Sequence, residues 1–199
     1  MARTRASDFE AKQHGLLLSA AAVFSEQGME KASMAQIASR SGVSKALLYH
    51  YYPSKDSLIF AIVHEHLVDL EASIAAAVDE RLPAEEQLRT LVGIVLEKYR
   101  GADDAHRVQL VGTSALTDDQ RAEIREVERQ TVRHFSQVLR RIHPGLDNPE
   151  RPLLMPVTMS LFGMMNWVYM WFRDGGRITR EDYAEVATTL ILEGVKAVR

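Results

Sequence analysis

The strongest constraint on this chain lies between Ser33 and Lys55, where SMAQIASRSGVSKALLYHYYPSK reads as two short helices joined by a tight turn at Ser41-Gly42-Val43. Ser33 is placed as an N-cap, with Gln36 three residues on to complete a capping box, and Ile37 and Ala38 supply the apolar face that follows. A first short helix therefore starts near Met34. Gly42 supplies the positive φ that stops it, Val43 packs between the two helices, and Ser44 caps the second, which carries Lys45 to His50. Leu47 or Leu48 anchors this second helix, and Lys45, Ala46, Tyr49 and His50 face outward. Pro53 then forbids smooth continuation, and Ser54 caps a longer helix that begins at Lys55. The spacing is that of a helix-turn-helix, whose second helix lies in the DNA major groove.

Helical periodicity continues through the rest of the chain, so the expected fold class is all-α. Phe9 to Gln27 carries Leu16, Leu17, Ala20, Val23 and Phe24, with Gly28 as a C-terminal stop. From Lys55 an apolar stripe through Leu58, Ile62, Leu70, Ile74 and Val78 runs on to Pro83. One helix then covers Leu88 to Tyr99, with a break expected at Gly101-Ala102-Asp103-Asp104 and a shorter stretch from Val108 to Leu116. Thr117-Asp118-Asp119 opens a long charged helix to Ile142, His143 to Pro149 reads as a loop, and two helices close the chain over roughly Pro152–Arg173 and Arg180–Val198. No strand pattern is visible.

Composition narrows the setting. There is no cysteine, so disulfides and thiolate metal sites are excluded, and neither a signal peptide nor a run long enough to span a bilayer is present, which points to the cytoplasm. The net charge of −3 hides an asymmetry. Residues 1–55 hold seven Lys/Arg against four Asp/Glu, whereas residues 56–199 hold 17 against 23. A basic head on an acidic body suits a DNA binder.

Residues 9–60 resemble the N-terminal domain of the TetR family of bacterial transcriptional regulators. The elements that carry the likeness are Phe24 and Gly28, then Ser33, Ile37, Ala38, Gly42, Val43 and Ser44, then Leu48, Tyr49, Tyr51, Tyr52 and Lys55. Two positions depart from the pattern: Ala46 stands where glycine or another small residue is frequent, and Tyr51 where histidine is frequent. The resemblance implies a three-helix DNA-binding domain over residues 1–55 and a helical ligand-binding and dimerisation domain over residues 56–199. It implies Tyr49 and Tyr51 at the DNA backbone and Lys55 at a phosphate beside its helix N-terminus. Lys45 is placed for guanine or a phosphate, and His50 for a base edge or a phosphate. Ser33, Ser44 and Ala46 complete the expected DNA-binding set. Arg3 and Arg5 are either an arm along the DNA or an unstructured terminus.

The penultimate helix is apolar on nearly every face, with Met155, Met159, Phe162, Met164, Met165, Trp167, Tyr169, Met170, Trp171 and Phe172. Such a helix must be covered on more than one side. By resemblance to the family it pairs, with the final helix and its Leu190, Ile191, Gly194 and Val195, against a second copy in a four-helix interface. The same residues could line an effector pocket, since methionine adapts its shape and rings give large apolar area. Core or interface is the commoner fate of any one of these methionines. The candidate ligand residues are Tyr99, Phe162, Asn166, Trp167, Met170 and Trp171, with Asn166 and Trp167 needing polar partners wherever they are buried. The segment from Asn166 to Thr179 also resembles the acyl-coenzyme A-responsive branch of the family, which places Arg173 or Arg177 near coenzyme A phosphates or, equally, as cations at a helix C-terminus.

An enzyme is the rival class, and the sequence argues against it. The seven histidines are scattered, and no phosphate-cradling glycine loop, nucleophile elbow or His-Glu-x-x-His pair is present. No cofactor is called for. The expected function is a ligand-responsive, homodimeric repressor that leaves an inverted-repeat operator when a small hydrophobic effector, with an acyl-coenzyme A thioester as one candidate, enters the body. An activator of the same architecture and an architectural DNA-binding protein without a ligand are the alternatives.

Overall fold

The computed structural model describes residues 2–198, with side chains from Lys12 to Val198. Its helices are α1 (Ala2–Gln27), α2 (Met34–Arg40), α3 (Lys45–Tyr51), α4 (Lys55–Ala77), α5 (Ala84–Lys98), α6 (Asp103–Gly112), α7 (Asp118–Ile142), α8 (Leu154–Asn166), α9 (Val168–Trp171) and α10 (Arg180–Ala197). Single 3-10 turns sit at Thr113–Ala115 and Pro144–Leu146. The all-α expectation holds apart from a two-residue antiparallel ladder, β1 (Asp147–Asn148) with β2 (Arg151–Pro152), which begins in the expected loop and ends at the first residue of the expected penultimate helix.

The chain divides into two compact units. One comprises Met1–Val68 with Ala102–Arg125, the other Asp69–Gly101 with Glu126–Arg199. This differs from the boundary expected between residues 55 and 56, because packing does not follow chain order. Helix α6 packs on α1 and belongs with the head. At its C-terminal end α6 also comes close to α4, and Gly112 permits that approach: a Cβ there would stand 2.9 Å from Ile59 Cγ2. Buried Leu16, Phe24, Ile37, Leu48, Leu58, Ile59, Val63 and Val108 supply the head's core.

In the body, α5 and α8 both pack on α10, and the core runs through Leu88, Leu91, Val95, Phe135, Leu139, Leu161, Met165, Ala187 and Ile191. Gln87 is fully buried in that hydrocarbon. Its Nε2 donates to Ala77 O at 3.1 Å while its Oε1 accepts from Asp79 N at 2.6 Å, so one side chain caps the end of α4 and holds the next turn. That is why α4 stops at Ala77 rather than running to Pro83.

Other boundaries moved for local reasons. Helix α1 begins at Ala2, earlier than Phe9. Asp103 and Asp104, where a break is expected, form the first turn of α6, where acids suit the helix dipole, and α6 ends at Gly112 instead of Leu116. The expected helix over Pro152–Arg173 is shorter and interrupted. Pro152 is held in the ladder, so α8 starts at Leu154, and at Trp167 the backbone tightens to a 3-10 bond from Met170 N to Trp167 O at 3.1 Å before α9 resumes. Phe172 then turns extended and the helix ends.

Candidate DNA interface and effector-binding body

The helix-turn-helix forms from local signals. Ser33 and Gln36 make a reciprocal capping box, with Gln36 N donating to Ser33 Oγ at 3.3 Å and Ser33 N donating to Gln36 Oε1 at 2.9 Å. Gly42 takes φ 66°, and the amide of Val43 donates back to Ala38 O at 3.0 Å, which closes α2 and reverses the chain. Ser44 Oγ accepts from Leu47 N at 3.1 Å to start α3. Ser33 and Ser44 therefore have a structural use in their hydroxyls. Arg40 forks onto Glu26 of α1, with Nη2 donating to Oε1 at 2.8 Å, and that hydrogen bond holds the Glu26 carboxyl below its usual range.

Packing decides the orientation of α3. Leu48 is 0% exposed and anchors it, whereas Leu47 is 40% exposed. Tyr52, just past the helix, is buried and its hydroxyl accepts from Gln13 Nε2 at 3.1 Å, which ties the end of α3 to α1. Lys45, Ala46, Tyr49 and His50 all face solvent, as expected, and Lys45 Nζ lies 5.8 Å from the centroid of the Tyr49 ring. Tyr51 is half-buried, its ring edge-on to His50 at 5.5 Å. Lys55 differs from the others. Its ammonium donates to Met29 O at 2.6 Å and to Glu30 O at 3.3 Å, closing the α1–α2 connection. The side chains of Arg3 and Arg5 lie outside the described residues.

The head also holds an open cleft of about 640 Å³, lined by Met29, Lys31, Lys55, Ile59, Val111 and Ser114 among others. It includes none of the six residues expected to line an effector pocket.

Those six separate into two groups. Tyr99 and Phe162 are buried; the Tyr99 hydroxyl donates to Asn166 Oδ1 at 2.8 Å, and Phe162 packs edge-on to Phe135 at 5.0 Å. Burial pushes the Tyr99 phenol above its usual range, with the Glu128 carboxylate adding to the effect, so it is a hydrogen-bond donor at any ordinary pH. Trp167, Met170 and Trp171 instead lie on the surface, and Trp167 is 58% exposed. They continue a stripe on α8 made of Met155, Met159 and Gly163, and α10 carries a second exposed stripe of Val186, Leu190 and Gly194. Large apolar side chains gathered on one part of a surface mark an interaction face.

Arg180 was missed at the sequence level. It is 4% exposed at the start of α10, with Nε and Nη2 each donating to Asp174 at 2.9 Å and Nη1 donating to Leu96 O at 3.1 Å, while its guanidinium lies 5.0 Å from the Phe172 ring centroid. A cation in the first turn of a helix opposes the dipole and needs a carboxylate, which was the available signal. Arg173 and Arg177 remain exposed. The histidines do not converge: His64 meets Glu123 at 3.1 Å, His134 meets Glu71 at 3.2 Å, and the rings of His66 and His106 stand 6.2 Å apart. Among the described residues no cluster of three metal-ligating side chains occurs, and no helix is long and apolar enough to cross a membrane.

A capped helix-turn-helix with an exposed polar face on its second helix, carried by an otherwise helical chain, defines a DNA-binding regulator. Comparison with known proteins makes the assignment specific. The family model described as "Bacterial regulatory proteins, tetR family" matches residues 16–62, and that for the "Tetracyclin repressor-like, C-terminal domain" matches residues 81–195. The chain belongs to the TetR family. It is 26% identical over 192 residues to the HTH-type transcriptional regulator HbdR of Aromatoleum sp. (strain CIB), covering 92% of this chain and 80% of that one. Its fold is similar to that of a TetR-family regulator from Bordetella parapertussis 12822, with TM-score 0.82, 28% identity and coverage of 92% and 95%. It is also similar to AibR, crystallised with isovaleryl coenzyme A and operator DNA, with TM-score 0.75, 27% identity and coverage of 90% and 97%.

Proposed function

We propose that this regulator is a homodimeric repressor which binds an inverted-repeat operator through the outward face of α3 and leaves it when an acyl-coenzyme A thioester binds in the body. The observation that carries the DNA half of this reading is the orientation of α3, anchored by Leu48 with Lys45, Ala46, Tyr49 and His50 exposed together. Base edges are read from Lys45 and His50, and backbone phosphates are met by Tyr49 and Tyr51. Two-fold pairing through the stripes of α8 and α10 sets two heads on a pseudo-palindrome.

The effector class is supported by the similarity to AibR, whose structure holds isovaleryl coenzyme A. The apolar core around Phe162, with Tyr99 and Asn166 as its hydrogen-bonding pair, suits an acyl chain ending in a polar thioester. Effector binding acts on α4, the helix that begins at Lys55 in the head and ends at Ala77 in the body. A tenfold loss of operator affinity requires a differential of only about 1.4 kcal/mol.

The test is fluorescence anisotropy of the full-length protein on labelled DNA from upstream of its own gene, at fixed salt, with and without a panel of acyl-coenzyme A thioesters. Specific binding released by one thioester supports the whole reading. Specific binding that no thioester changes retains the DNA function and removes the effector class.

A further inference from the structure

Leu47 is the one large aliphatic side chain that α3 exposes without using it as an anchor: Leu48 takes the core position at 0% exposure, and Leu47 is left 40% exposed, while Tyr49, also exposed, carries a hydroxyl. A lone exposed leucine is ordinary on most surfaces. Its setting is what matters here. Leu47 follows Ala46 and precedes His50 by three residues, so on the helix surface its isobutyl group is a neighbour of the imidazole on the exposed side of α3. A leucine neither donates nor accepts, so it cannot serve a phosphate or a polar base edge. The only apolar group a major groove presents is the 5-methyl of thymine.

We infer that Leu47 is a specificity-determining residue that packs on a thymine 5-methyl group, so that each operator half-site contains a thymine at one fixed position. The inference rests on the proposed docking of α3 in the major groove. It gives a short helix two kinds of readout: hydrogen bonds from Lys45 and His50, and an apolar contact that selects thymine against cytosine. Burying one methyl group contributes about 0.8 kcal/mol, a factor of about four in affinity for each half-site.

The experiment uses full-length protein and a duplex selected by it from random sequence, with each thymine replaced in turn by deoxyuridine, which removes only the methyl. One position per half-site should weaken wild-type binding about fourfold. In Leu47→Ala that difference should vanish, while helix content by circular dichroism stays unchanged because the side chain is exposed. The proposal is overturned if no half-site thymine is shared, if no deoxyuridine costs more than about twofold, or if the penalty persists in Leu47→Ala. Persistence there with loss in Ala46→Gly assigns the methyl contact to Ala46 instead. If selection enriches no sequence, the DNA reading beneath the proposal fails, a distinct result.

Discussion

Head and body use apolar side chains in opposite ways. In the head each short helix is held by few anchors: α3 buries one leucine among its seven residues, and Tyr52, Arg40 and Lys55 tie the segment down through polar bonds. In the body, core positions are filled from α5, α7, α8 and α10, and large apolar groups are left over on the surface. A side chain that the core does not need therefore means different things in the two places. On α3 it is a candidate for DNA; on α8 and α10 it is a candidate for a second copy of the chain.

The largest expected effect breaks the head alone. Leu48→Ala leaves a cavity under α3 and should cost about 3 kcal/mol, lowering the melting transition and abolishing operator binding, whereas Leu47→Ala should stay within about 0.5 kcal/mol of wild type. Equal destabilisation by the two would erase the distinction between anchor and reader. The corresponding change in the body is Leu190→Asp. It should leave the subunit folded and weaken dimerisation at least about a hundredfold, since two-fold symmetry applies the charge twice. An unchanged sedimentation coefficient at micromolar protein would remove the α10 stripe from the interface.

A smaller effect sharpens the role of Lys55. Lys55→Met removes both bonds to the α1–α2 carbonyls and should destabilise the head by about 1–2 kcal/mol. The slope of operator affinity against salt separates the two uses of that ammonium: a fall of about two contacts, one for each subunit of the dimer, assigns it to a phosphate as well, and an unchanged slope confines it to the loop.

The smallest effect concerns the acid limb of body stability. The hydrogen bonds from Arg180 hold the Asp174 carboxyl below its usual range, with the charges of Arg180 and Arg100 adding to this. A depressed folded-state value stabilises the fold above the unfolded carboxylate's pKa, and that contribution is lost as pH falls through the folded value. Wild type should therefore lose thermal stability below about pH 4 more steeply than Asp174→Asn, measured by scanning calorimetry. Parallel pH profiles would show that the exposed side of Asp174 is too well solvated for the pair to matter.

The sequence by itself determined the helix-turn-helix, because its signals are local. Ser33 and Gln36 are three residues apart, Gly42 sits where φ must be positive, and Ser44 and Pro53 bracket α3, so neighbouring residues alone specify each turn. The all-helical class followed from periodicity in the same way. What only the tertiary structure decided depends on partners distant along the chain. Leu47 and Leu48 are adjacent and chemically identical, and only packing against the head's core distinguishes them. Helix α6 joins the head although it follows α5, because it packs on α1, some eighty residues earlier, with Gly112 allowing its end to lie close to Ile59. On α8 periodicity failed, since a helix apolar all round has no face to read. The division of Phe162 and Asn166 from Trp167 and Met170 was set by Tyr99 and Phe135, which lie 67 and 27 residues before their partners Asn166 and Phe162.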